Sequence, residues 1–214
     1  MKKLIQISEE EFKSFEERYR ARFINSLSGF KSANLIGTVS NEGQTNVSII
    51  SSAFHLGANP ALIGFIIRPD VSPRHTLINI RETGICTLNH ISKDFVERAH
   101  QTSARYSLDQ SEFIECELDE EYLEDFKAPF VKNSPLKMAL EFVREIPIEE
   151  NGTHMIISKI KSVWLTAGML QEDGFIDLES QEVICVSGLD SYHTTSRLGR
   201  LSYAKTDKKP TWLK

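Results

Sequence analysis

The chain has 214 residues, of which 40% are hydrophobic and 26% charged, and its formal net charge at pH 7 is −5. These values are ordinary for a globular protein, and the length fits one domain with a substantial core. The negative charge argues against a broad nucleic-acid surface. No apolar stretch approaches the roughly 18 residues of a membrane span, so we expect neither nucleic acid nor membrane as a partner.

The number and spacing of the cysteines indicate the cellular compartment in which the protein works. Cys86, Cys116 and Cys185 are isolated in the sequence, without a C-x-x-C motif or metal-ligand spacing. An odd number of cysteines with no disulfide framework indicates a reducing environment. Acidic residues follow Lys2 and Lys3 where a signal peptide would need an apolar core. We therefore expect a cytoplasmic protein with no metal site.

The first predicted element is a helix over about residues 8–27. Ser8 and Glu11 form an S-x-x-E capping box at its start. Aromatic residues then follow at three- and four-residue steps, at Phe12, Phe15, Tyr19 and Phe23. This spacing is typical of one face of a helix.

From about residue 30 the pattern becomes that of strands. "ANLIGTVS" and "TNVSIISSAF" predict a hairpin around the turn "NEGQ", and "HLGANPA" reads as a loop. "ALIGFII" is apolar throughout, as expected of a strand covered on both faces. A short helix over about residues 73–83 follows, with Ser72 as N-cap, Pro73 in the first turn and Gly84 at C′.

The second half predicts more strands. "ICTLNHI" is a strand, "SKDFVERAHQTSARY" is a helix, and residues 107–133 are acidic and mixed. "KMALEFVREIPI" and "THMIISKIKSVWLT" are two long strands around "EENG", and "EVICVSG" is the last strand. Strands dominate, so the predicted fold is mainly β, an antiparallel β-barrel with added helices.

The sequence lacks the motifs of several classes of enzyme and nucleotide-binding protein. The sequence has no G-x-S-x-G, no P-loop, no G-x-G-x-x-G and no H-E-x-x-H. The carboxylate runs "SEEE" and "ELDEEYLED" are typical of solvated helix faces. If a nucleotide binds, a Rossmann crossover does not hold it.

The stretch "RPDVSPRHTLIN" could bind an anion. If Ser72 caps the helix, the amides of Arg74 and His75 point outward at the positive end of the helix dipole. Arg68 and Arg74 could add charged donors and Thr76 a hydroxyl, which together suit a phosphate. An ordinary cap beside two solvated arginines explains the same residues.

The segment "NVSIISSAF" could hold a planar ring. Strand alternation places Ser48, Ile50 and Ser52 on one face and Val47, Ile49, Ser51 and Ala53 on the other. Small hydroxyl residues at a strand end let a flat ligand approach the backbone closely. Because alternation sends Ser51 and Ser52 to opposite faces, at most one hydroxyl could bond the ring. A strand fraying into a loop, with serines as turn residues, is the alternative.

Both features occur in a run that resembles a known family. "NVSIISSAFHLGANPALIGFIIRP", "HTLINI", "GICTLN", "KAPFVKNSPLKMALEF" and "GTHMIISKI" are similar to the flavin reductase-like, FMN-binding split-barrel family, which includes flavoredoxin. The resemblance spans about residues 30 to 205, within a single domain of 1–214. It rests on the order of several motifs.

The resemblance implies a split β-barrel that dimerises, with FMN between the subunits. It implies an isoalloxazine ring against Ser51, Ser52, Ala53 and Phe54, with Asn89 nearby. It implies a phosphate near Arg68, Arg74, His75 and Thr76, and Asn79 closes that stretch as a further candidate. "RH-T" stands here where many relatives have a lysine and an aspartate before the threonine.

The predicted function is an FMN-binding oxidoreductase. NADH or NADPH would give hydride to the flavin, which carries the redox chemistry while the protein positions it, and electrons would pass to an unknown acceptor. His193 is a candidate for shaping the nicotinamide pocket, or a surface residue of a terminal loop. Three alternatives stay open: a flavin-bound electron carrier without a nicotinamide site, a non-enzymatic small-ligand barrel, and an oxidase of the pyridoxamine-phosphate type.

Overall fold

The computed structural model describes residues 3–69, 75–107 and 109–213. The helices are α1 (Glu9–Ser14), α2 (Glu17–Leu27), α3 (His75–Thr83), α4 (Val96–Gln101) and α5 (Glu112–Glu115), with 3-10 turns at Lys93–Phe95 and Glu179–Gln181. The strands are β1 (Lys31–Ser32), β2 (Asn34–Val39), β3 (Thr45–Ile50), β4 (Phe54–Ala58), β5 (Ala61–Ile67), β6 (Ile85–His90), β7 (Glu120–Glu121), β8 (Phe130–Val131), β9 (Leu136–Ile148), β10 (Thr153–Leu165), β11 (Cys185–Ser187) and β12 (Ser191–His193).

One large sheet forms the body of the described chain. Its order is β3-β2-β6-β9-β10-β5-β4, and its neighbouring strands are antiparallel. The two edge strands, β3 and β4, are consecutive in sequence. The sheet therefore curls back on itself where the chain passes from one edge to the other, as a split barrel does, and the predicted mainly β fold is confirmed.

Two hydrophobic clusters fill the barrel and cover it. The inner cluster includes Ile36, Phe65, Leu88, Leu140 and Ile156, all almost fully buried. The outer cluster packs the other face of β2 and β3 against α4 and α5, and includes Leu35, Val47, Ile91, Phe95 and Phe113. Two smaller sheets, β1-β11-β12 and β7-β8, complete the strands.

Several local predictions are confirmed. Ser8 and Glu11 form the capping box, and β9 pairs with β10 as two long strands around residues 149–152. Gly84 has a φ of +72° and donates its N–H to Ile80 O at 3.0 Å, which ends α3. The Ser72 cap and Pro73 first turn lie outside the described residues.

The N-terminal helix is divided in two, contrary to prediction. Phe15 adopts an extended conformation, and the carboxylate of Glu16 caps α2 by accepting from the N–H groups of Arg18 and Tyr19 at 3.0 and 3.1 Å. These bonds lower the pKa of Glu16. The aromatic spacing survives the break, because Phe15 still packs edge-to-face on Tyr19 and Phe23.

The first strands also differ from prediction. β3 ends at Ile50, so alternation stops there, and Ala53 packs against the inner cluster beside Ile50. The predicted loop 55–61 is largely strand, in β4. β5 is only partly covered, since Leu62, Ile63 and Ile66 are half-buried. The predicted helix after β6 is a 3-10 turn followed by the short α4.

Candidate functional site

Residues 51–53 join the two edge strands of the barrel. Ser51, Ser52 and Ala53 are half-buried, and Phe54 at the start of β4 is 36% exposed. The segment lies beside β1, because Ser32 Oγ is 3.5 Å from Ala53 O and accepts from Asn34 Nδ2 at 2.9 Å. A small, partly open strand end is therefore present where the ring was expected.

Ser52 closes the barrel. Its hydroxyl accepts from Ile66 N–H at 3.1 Å and donates to Ile66 O at 2.9 Å, so it occupies both backbone groups of a β5 residue. Its one hydrogen is thereby used within the chain. Ser51 makes no side-chain hydrogen bond to any residue in the described ranges. Of the two serines, Ser51 is the one whose hydroxyl is not already used within the described residues.

Phe54 depends on a glycine opposite. A Cβ placed on Gly64 would lie 2.6 Å from Phe54 Cζ and 3.1 Å from Leu56 Cδ1. The ring of Phe54 thus lies directly on the backbone of β5, in the register Phe54↔Gly64. Phe54 thus presents a partly exposed aromatic ring three residues after Ser51.

Two cations lie close to each other near this segment. Arg68 is exposed just after β5, and its charge, after burial, is a cause that lowers the pKa of Lys31. Lys31 Nζ donates to Gly188 O at 2.9 Å and to Asn25 O at 3.2 Å. Lys31 could not be singled out from the sequence, because its partner at residue 188 is distant in the chain and "FKSAN" carries no motif.

The start of α3 faces the barrel more than solvent. Thr76 and Asn79 are buried; Thr76 Oγ1 contacts Ser48 Oγ at 2.8 Å, and Asn79 Nδ2 donates to Thr38 Oγ1 at 3.0 Å. Both side chains therefore make their hydrogen bonds within the protein. Thr76 could then bind an anion only through its backbone N–H. Burial lowers the pKa of His75, which favours its neutral form. Arg74 lies outside the described residues.

The geometry argues against Asn89 as a ligand contact. Asn89 is fully buried, and its amide donates to Leu35 O at 3.2 Å and Thr87 Oγ1 at 2.9 Å. Its Oδ1 accepts from Val131 N–H at 3.0 Å. The side chain thus joins β6, β2 and β8, and no polar atom of it is left for a ring.

His193 lies in the small sheet beside the candidate site. Its Nε2 contacts Ser187 Oγ at 2.8 Å, and its ring packs edge-to-face on Phe30 at 4.9 Å between centroids. β11 pairs with both β1 and β12, in the registers Ser32↔Cys185 and Cys185↔His193. His193 is thus two strands away from Ser32, whose hydroxyl contacts Ala53.

Two buried polar atoms near the same barrel end have no hydrogen-bond partner among the residues that the structure describes. Asn34 Oδ1 and His90 Nδ1 belong to residues paired across β2 and β6. Burial lowers the pKa of His90 to about 4, so its ring is neutral at pH 7. Among the described residues, no group of three or more potential ligands could hold a metal ion, and no helix there is long and apolar enough to cross a membrane.

The chain and its fold match a known family. The model of the flavin reductase like domain family matches residues 27–179, and the chain belongs to that family. It is 52% identical to a protein provisionally named a flavin reductase with a split barrel domain, from Shewanella frigidimarina NCIMB 400. That match covers 94% of this chain and 100% of the other, with a TM-score of 0.91.

More distant structures share the fold. Nitrilotriacetate monooxygenase component B from Bacillus cereus is 20% identical, with a TM-score of 0.80, over 94% of this chain and 100% of that one. Flavoredoxin of Desulfovibrio vulgaris (Miyazaki F) is 19% identical, with a TM-score of 0.69, over 84% of this chain and 92% of that one. A search of curated proteins finds no match.

Proposed function

We propose that this protein is an FMN-binding flavin reductase that uses NADH or NADPH and passes electrons to a further acceptor. The observation that carries the proposal is the family match over residues 27–179, together with 52% identity to a flavin reductase-like structure across 94% of the chain. A bound flavin supplies the redox chemistry, and the chain supplies position and electrostatics.

The described residues fit a flavin at both ends. We assign the flavin ring to Ser51, which is half-buried, and to the partly exposed ring of Phe54. Arg68 and Lys31 lie close enough for their charges to interact, and such positive charge suits a phosphate. We place Arg74 and the backbone of His75 and Thr76 at the phosphate, and His193 at the edge of the nicotinamide pocket.

An absorbance spectrum tests the proposal. Purified protein mixed with FMN should bind it, and anaerobic NADH or NADPH should then bleach the flavin bands. Binding without bleaching by either nucleotide, combined with reduction by a protein donor, would instead identify an electron carrier. No uptake of FMN would contradict the proposal and favour a barrel for another small ligand.

We also propose that the protein is a homodimer. Residues 194–213, here named the C-terminal arm, form a hairpin in which Leu213 N–H bonds Arg200 O at 2.7 Å and Ser202 N–H bonds Thr211 O at 2.8 Å. Arg200 ties the arm to Asp173 at 2.6 Å. Yet its large apolar side chains are exposed: Leu198 by 95%, Tyr203 by 89% and Trp212 by 62%.

Such an apolar surface on an attached arm is typical of a segment that covers a partner. The arm holds five basic residues and one acidic residue, whereas the chain as a whole is acidic, so its charge complements the body of a second copy. We predict a dimer by light scattering, and a shift toward monomer in the chain truncated after residue 193. A parent protein that is monomeric and still binds FMN tightly would contradict a site built between subunits.

A further inference from the structure

A buried carboxylate lies behind the start of α3. Glu112, in α5, is 6% exposed, and Asn46, in β3, is 4% exposed. With the Asn46 amide nitrogen turned toward Glu112, Nδ2 donates to Oε2 and Oε1 at 3.1 and 3.2 Å, and Oδ1 accepts from Thr76 Oγ1 at 3.0 Å. The opposite orientation would set the amide oxygen against an ionised carboxylate, acceptor against acceptor.

These contacts fix the direction of a hydrogen-bonded chain. Thr76 has one hydroxyl hydrogen, and Asn46 Oδ1 accepts it. The 2.8 Å contact between Ser48 Oγ and Thr76 Oγ1 must then have Ser48 as the donor. Three donors therefore point the same way, from Ser48 to Thr76, from Thr76 to Asn46, and from Asn46 to the Glu112 carboxylate.

The carboxylate is held by hydrogen bonds in an apolar setting. Burial raises the pKa of Glu112, while bonds from its own N–H and from the N–H of Val47 act in the opposite direction. Phe113 beside it belongs to the outer hydrophobic cluster. A buried acceptor of this kind is costly to leave unpaired, which makes the chain of hydrogen bonds specific.

We propose that Glu112 is a positioning residue for the first turn of α3. Its carboxylate orients the amide of Asn46, the amide holds the hydroxyl of Thr76, and Thr76 fixes the helix start at which the proposed function places the FMN phosphate. The ligand in this inference rests on the proposed function. The link from Glu112 to α3 is a property of the free protein.

Two substitutions of equal length separate hydrogen bonding from packing. Glu112→Gln can rebuild the chain of hydrogen bonds in the opposite direction. The introduced glutamine amide would donate to Asn46 Oδ1, and Asn46 Nδ2 would donate to Thr76 Oγ1, which lies 3.0 Å away in that orientation of the Asn46 amide. Glu112→Met fills the same space with no strong donor or acceptor. Glu115→Gln and Glu115→Met, at an exposed position on the same helix, are the matched controls.

The first readout is amide hydrogen exchange in the ligand-free protein, at Asn79 and Ile80, whose N–H groups close the first turns of α3. We expect about tenfold faster exchange in Glu112→Met, near-parent exchange in Glu112→Gln, and no change in the controls. Adding Thr76→Val should abolish the difference between Met and Gln, because the chain is then already cut. Equal behaviour of Met and Gln at position 112, or parent exchange in both, would overturn the proposal.

The second readout is affinity for FMN and for riboflavin, which lacks the phosphate. Glu112→Met should weaken FMN binding by about tenfold more than riboflavin binding, and Glu112→Gln should restore most of the loss. Equal loss of both ligands would overturn the assignment of this helix start to the phosphate. If the parent binds neither ligand, the proposed function fails, and the exchange data still decide whether Glu112 acts on α3.

Discussion

The two ends of the candidate site are built differently. At the proposed ring end, Ser52 and Phe54 are held by contacts with β5, namely the two bonds of Ser52 to Ile66 and the close contact of Phe54 with Gly64. At the anion end, Arg68 and Lys31 bring charge on long side chains. The ring end should therefore respond to changes in side-chain size, and the anion end to changes in charge.

The largest effect is expected from Ser51→Leu. The hydroxyl of Ser51 is unused within the described residues, and the proposed function places Ser51 against the flavin ring. A bulky side chain there should therefore abolish flavin binding sterically. FMN and riboflavin should be lost together while circular dichroism stays at the parent level. If a folded Ser51→Leu variant binds FMN like the parent, the flavin ring does not lie against Ser51. Ser52→Leu is less informative about the ligand, because it also removes the two hydrogen bonds of Ser52 to Ile66.

Arg74→Ala should produce the opposite selectivity. Loss of a charge-assisted phosphate contact should cost on the order of 1.5–3 kcal/mol of FMN binding, and riboflavin binding should be almost unchanged. Titration of both ligands measures this. Equal losses would mean that Arg74 supports the ring end or the fold, and the contrast between the two ends would disappear.

Ser52→Ala and Ser51→Ala should divide stability from binding. Ser52→Ala leaves the N–H and C=O of Ile66 without their partner, at a cost of about 1–3 kcal/mol in the free energy of unfolding. Ser51→Ala should leave stability unchanged and weaken FMN binding by roughly 0.5–1.5 kcal/mol. Urea denaturation and FMN titration of both variants check this; the reverse assignment would show that Ser52 faces the ligand.

The smallest effect is expected from Arg68→Gln. Arg68 is exposed, so its contribution to FMN affinity should be below about 1 kcal/mol and should vanish at high salt. Arg105→Gln, at another exposed arginine, is the control for net charge. A loss for Arg68→Gln that persists in 1 M salt would indicate a direct, desolvated contact with the phosphate.

The structural features that could be predicted from the sequence are those that depend on residues close together in the chain. The Ser8–Glu11 box and the end of α3 at Gly84 each depend on residues within four positions, and the β9–β10 hairpin on a turn between two long strands. The break at Phe15 was missed because the aromatic spacing is the same in one helix or two. At the candidate site, the run of small residues 51–53 could be recognised from the sequence. The separate roles of Ser51 and Ser52 could not, since they depend on Ile66 across the barrel.

The pair of hydrogen bonds between Ser52 and Ile66 also limits which amino acids position 52 tolerates. One short side chain there must both donate and accept to the same residue, Ile66. Alanine and valine have no polar atom, and asparagine would place its two groups too far from the backbone. A saturation library selected for folding alone, without ligand, should therefore retain serine, with threonine as its nearest substitute, whereas position 51 should vary freely until flavin is required.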